Sequence, residues 1–191
     1  MIFRRILTFA IVLLSATNSF AQTLPVVDVS LSLLNWTKHL DADVDKYFTK
    51  EKGQELSRSF GLLKKNLITY MKTRKNLSDN IFRNNIAPGK KDPENLETLK
   101  TQMGDVIREM RNVTDLTNNE LRAEGDRLND KIFNVLNSEG TQYLSNLEAF
   151  LAGLDVSKRD IALDASVAYD RLQQSINILA STEDKINRKM K

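Results

Sequence analysis

Apolar side chains recur every three or four residues along almost the whole of this 191-residue chain, a spacing that belongs to amphipathic helices. Val26, Val29, Leu33, Trp36, Leu40, Val44 and Tyr47 form one such stripe and predict a first helix over 26–48. Strand-like alternation occurs once, at Val27, Val29, Leu31 and Leu33, and it falls inside that stripe. Leu56, Phe60, Leu63, Leu67, Tyr70, Leu77 and Ile81 keep a seven-residue beat, broken only where Arg74 takes an apolar slot. They predict a long second helix over 50–84.

Breaks between helices are read from turn and cap residues. Asn84 to Lys91, with Pro88-Gly89, is the clearest loop. Asp92-Pro93-Glu94 then opens a helix carrying Leu96, Leu99, Met103, Val106, Met110 and Val113, with Asp92 as the expected cap. Thr117 and Glu120 have capping-box spacing between the staple residues Leu116 and Leu121, which predicts a restart there. The next helix places Leu121, Leu128, Ile132 and Val135 inward, and Gly125 gives a thin point where another helix can approach. Ser138-Glu139-Gly140 ends it, and a short helix follows with Tyr143, Leu144, Leu147, Phe150, Leu151 and Leu154 on its apolar side. Ser157 and Asp160, flanked by Val156 and Ile161, start a last helix that runs to about residue 188 on Ile161, Ala165, Ala168, Leu172, Leu179 and Ile186. The expected fold is all-α: an elongated bundle of long amphipathic helices with shorter helical segments, in one domain over 22–191.

The preceding residues 1–21 read as a cleaved signal peptide. Arg4 and Arg5 precede an apolar run from Ile6 to Leu14, and Ser19-Phe20-Ala21 supplies small residues at the cleavage site before Gln22. The run is too short for a membrane span, which needs about 20 residues. The expectation is therefore an exported protein, periplasmic or extracellular, with a bacterial envelope favoured. There is no cysteine, so a domain of about 170 mature residues must be held by its core alone, without disulfides or thiolate metal sites.

Removing the leader leaves bases and acids nearly balanced, but not evenly spread. Residues 50–91 hold eleven bases against three acids, whereas 92–191 hold thirteen against eighteen. Either a basic helix lies against acidic ones within the fold, or a basic face meets an anionic lipid, glycan or acidic protein. The candidate interaction patch on that segment is Lys64, Lys65, Lys72, Lys75, Lys90 and Lys91.

Catalytic and metal-binding patterns are missing. His39 is the single histidine, with no second histidine or cysteine to share a metal, and no Gly-x-Ser-x-Gly elbow exists to present a serine. Asp41, Asp43 and Asp45 resemble the start of a calcium loop, but Lys46 and Lys52 stand where glycine and a bidentate glutamate are required. Tyr70 and Phe60 fall on the apolar beat, so they are expected in the core rather than stacked on nucleic acid. No catalytic residue, cofactor or metal is expected.

Two patches carry a family likeness. One is the leader ending at Ala21-Gln22 followed by Val26-Val27-Asp28 and an amphipathic first helix. The other is the run Asn112-Val-Thr-Asp-Leu-Thr-Asn-Asn-Glu-Leu-Arg-Ala-Glu-Gly-Asp-Arg-Leu, a Val-Thr-Asp, polar turn and acidic helix start. In this layout the chain resembles the exported helical proteins of conjugative transfer and type IV secretion, the minor-pilin class. That resemblance implies a long-helix bundle with a smaller helical appendage, acting through contacts rather than catalysis. The expected function is non-enzymatic, through protein–protein contacts with other envelope or extracellular proteins or with further copies of itself. The alternative is a secreted helical protein acting on membranes, as a toxin or lipid-surface binder. Nucleic acid is not an expected partner. An enzyme built on scattered carboxylates stands third.

Overall fold

Six helices run through the computed structural model, which describes residues 24–89, 93–136 and 143–190. They are α1 (Leu24–Tyr47), α2 (Lys50–Phe82), α3 (Pro93–Asp115), α4 (Asn119–Leu136), α5 (Tyr143–Leu151) and α6 (Lys158–Lys189). No strand occurs among the described residues, so the fold is an all-α bundle, and the predicted bounds of α1, α2 and α6 hold to within two residues. The leader, Lys90, Lys91, the predicted cap Asp92 and the Ser138–Gly140 break lie outside the described residues.

Five helices close into a ring. α2 packs against α6 and α3, α6 against α1, α1 against α4, and α4 against α3. Cross-helix bonds give the directions. Ser57 Oγ donates to Asn187 Oδ1 at 2.7 Å, and Arg74 meets Asp164 farther along, so α2 and α6 run antiparallel. The Ser30 and Ser175 hydroxyls lie 2.8 Å apart while Lys189 Nζ donates to the Asp41 carbonyl, so α1 and α6 run parallel. The core sits on the ring axis. Val29, Leu63, Val106, Ile132 and Leu172, one from each ring helix, line a void of about 10 Å³. That is on the order of one water, and its lining is apolar, so the axis is closely packed.

Trp36 is the largest side chain where α1, α2 and α4 meet. It is 2 % exposed, its indole N–H donates to the Leu121 carbonyl at 2.9 Å, and its ring stacks on Phe60 at 6.1 Å. The close approach is bought by Gly125: a Cβ there would lie 3.3 Å from Trp36 Nε1 and 2.2 Å from Thr114 Cγ2. Thr114 is stiff at χ1 and its hydroxyl already donates to the Arg111 carbonyl, so it has little freedom to retreat. Gly125→Ala is expected to cost about 2 kcal/mol in chemical denaturation. Gly53→Ala meets only the flexible end of Met190 and gains helix propensity, so it should stay within about 0.5 kcal/mol of the parent. Equal losses at the two sites would contradict this packing.

The α3–α4 break falls where the staple residues put it, with a different cap. Thr117 Oγ1 turns back and donates to the Thr114 carbonyl at 2.6 Å, which finishes α3. The N-cap is instead Asn118, whose Oδ1 accepts from Leu121 N at 2.9 Å and whose amide reaches Asp43 on α1. Ser157 caps α6 as expected, accepting from Asp160 N. Thr49 caps α2 by accepting from Lys52 N.

α5 closes the end of the bundle where α4 stops and α6 begins. Tyr143, Leu147 and Phe150 are buried there, but Leu154, expected on the same apolar side, is 61 % exposed. The helix has ended at Leu151, and the chain turns at Gly153 before Leu154 can follow the stripe. Gly153 and Gly89 both adopt positive φ, 88° and 72°, and their backbones touch. The Phe150 carbonyl accepts from both glycine N–H groups, at 3.0 and 3.1 Å, so the α2–α3 loop helps to cap α5.

Candidate functional site

Three cations stand free on the outward face of α2. Residues 51, 58, 65, 72 and 79 fall one heptad apart on a single column of this helix: Glu51, Arg58, Lys65, Lys72 and Asp79. Arg58, Lys65 and Lys72 are exposed and pair with no carboxylate among the described residues. Beside them run Leu62, Thr69 and Asn76, also exposed. At one end of the column stands Glu51, held below the usual carboxylate pKa by backbone and Thr49 hydrogen bonds at the helix start. At the other, Asp79 is taken by Lys75 at 2.8 Å.

The patch read from the sequence therefore divides. Lys64 turns to α6 and pairs with Glu183 at 2.5 Å, and Lys75 is spent on Asp79 within its own helix. These two belong to charge matching inside the fold. Lys65 and Lys72 remain available and are joined by Arg58, which the patch omitted although its seven-residue spacing was visible. Lys90 and Lys91 lie outside the described residues.

Arg74 is the other unusual cation of α2, and it points inward. It is 2 % exposed, with Nη2 3.3 Å from Asp164 Oδ2 on α6 and its guanidinium 3.9 Å over the Tyr143 ring of α5. Ser78 Oγ donates to the Arg74 carbonyl at 2.9 Å and lies 2.7 Å from the Tyr143 hydroxyl. Tyr70 OH donates to the Leu136 carbonyl at 2.6 Å. Burial pushes the Tyr143 phenol up to about 12 and raises that of Tyr70, with the Arg74 charge opposing both shifts. Both phenols are therefore neutral donors at physiological pH. Arg74 Nε and Nη1 have no hydrogen-bond partner. This node ties α2, α5 and α6 together. Its one sequence signal was an arginine at an apolar heptad slot.

The remaining candidates fall to structural roles. His39 is exposed, with Nδ1 3.0 Å from Glu124 Oε2. Asp41 pairs with Lys189 at 2.9 Å, and Asp43 receives the Asn118 amide. Tyr70 and Phe60 are fully buried in the core. Among the described residues no group of three His, Cys, Asp or Glu is placed to hold a metal ion, and no helix is long and apolar enough to cross a membrane. Comparison with protein families, curated proteins and solved structures finds no match to this chain.

Proposed function

We propose that this chain is a non-enzymatic, exported helical protein that works through protein–protein contacts, as a component of an envelope transfer or secretion apparatus. The observation that carries the reading is the free column Arg58, Lys65 and Lys72. Other cations of the same helix are neutralised by Glu183, Asp79 and Asp164, whereas these three face solvent without a counter-charge among the described residues. Such a row steers and orients an acidic partner more than it tightens binding. The envelope setting rests on the leader sequence and on the minor-pilin resemblance of its layout.

Reversing all three charges (R58E, K65E and K72E together) is expected to reduce partner capture from native envelopes about tenfold at low salt. Helicity by circular dichroism should be unchanged, because none of the three makes an ion pair among the described residues. Equal capture by the parent and the triple variant would remove the column from the function. Action on membranes, the competing reading, requires an apolar face for insertion. Leu62 and Phe82, 37 % and 54 % exposed, are the large apolar side chains exposed among the described residues of α2, and twenty residues separate them, so they form no continuous apolar face.

A further inference from the structure

We infer that the outward column of α2 is a docking track for one acidic helix whose carboxylates repeat every seven residues. This rests on the protein-contact reading above and names the partner's chemistry. Seven residues of α-helix advance about 10.5 Å, so Arg58 and Lys72 stand about 21 Å apart with Lys65 midway. A second helix laid along α2 repeats its own heptad positions at the same interval and presents three carboxylates to the three cations in register. An extended strand does not. It covers that interval in about three residues, and an odd step turns the side chain to the opposite face.

The ends of the column strengthen the case. In heptad order the charges read Glu51, Arg58, Lys65, Lys72, Asp79: three positive positions flanked by Glu51 and by Asp79, whose charge Lys75 already offsets. A partner helix displaced by one heptad leaves a cation unmatched, and in one direction it also brings a carboxylate against Glu51; in the other it meets the Lys75–Asp79 pair. The pattern therefore sets register and limits the acidic track to three positions, repulsion at Glu51 adding to attraction in the middle. Between the cations, Leu62 offers one apolar contact, and Thr69 and Asn76 carry no charge to oppose the partner.

The test uses the purified full chain and fluorescently labelled helical peptides of identical composition, read by anisotropy at low salt. One peptide carries three glutamates seven residues apart; the control carries them five apart, which scatters them around the helix. The heptad peptide should bind about tenfold tighter, and the R58E, K65E and K72E variant should abolish the difference. A fourth glutamate at heptad spacing should add nothing on the native chain but tighten binding to E51Q. Equal binding of the two peptides, heptad binding that survives charge reversal, or a preference for anionic vesicles over both peptides would each overturn the inference. If the peptides fail but charge reversal still lowers envelope capture, the inference falls and the proposed function stands.

Discussion

Asp164→Ala is expected to lower the unfolding free energy by about 3 kcal/mol, because it strands a cation inside the protein. Arg74 lies 2 % exposed with Asp164 as its carboxylate, and its Nε and Nη1 already lack partners. Removing the counter-charge leaves the guanidinium to the Tyr143 ring and the neutral Tyr70 hydroxyl, and a cation–π contact contributes about 2 kcal/mol when desolvated. Arg74→Met gives the opposite contrast. It takes away the charge and fills most of the volume with a flexible apolar chain, so it is expected to fall within about 1 kcal/mol of the parent or to exceed it. Urea midpoints followed by circular dichroism decide the matter. If Arg74→Met is the worse of the two, the node is held by its ion pair rather than strained by it.

Trp36→Ala is expected to cost about 4 kcal/mol. Three losses coincide: a large buried ring, its stacking on Phe60, and the indole donor to the Leu121 carbonyl at the start of α4. The site cannot collapse easily, since Gly125 has no side chain to move into the space. Trp36→Phe keeps the ring contact and loses only the donor and part of the volume, so about 2 kcal/mol is expected. The measurement is again the urea midpoint, read by circular dichroism because the variants remove the one tryptophan. Equal losses for Phe and Ala would place the energy in the hydrogen bond instead.

Periodicity alone located most of the core. Phe60 and Tyr70 were placed inside by their position on the seven-residue beat, against the pull of their basic surroundings, and both are fully buried. The beat works because a helix repeats its geometry, so a local pattern decides which side faces in. It misled at Leu154, where a glycine turn ended the pattern three residues before the stripe did. Caps were less legible, because adjacent oxygens compete: Thr117 and Asn118 are both good caps, and a bond from Thr117 to Thr114 settled the choice.

The charged surface was the least legible part. Lys64 and Lys65 are neighbours in the chain and equivalent in composition, yet one is paired and the other free. The difference lies in Glu183, 119 residues away and brought alongside by the antiparallel packing of α2 and α6. Arg74 announced itself by its slot, but its partner Asp164 is 90 residues distant and had no local signal. Ion pairs between helices depend on which helices become neighbours, and no short window of sequence carries that information.

The adjacency of α1 and α6 has a kinetic side. α1 and α2 each find a principal neighbour in α6, which begins at Lys158, more than 75 residues after α2 ends at Phe82. During synthesis, everything up to residue 157 is made before that neighbour exists, so the ring has a gap along its length. Such a nascent chain has local helix but no sealed interior. Folding then awaits a contact between distant parts of the sequence, with the slow loop closure that entails. The order of the helices sets this: α6 follows the other four ring helices in the sequence and is the one that shuts the ring.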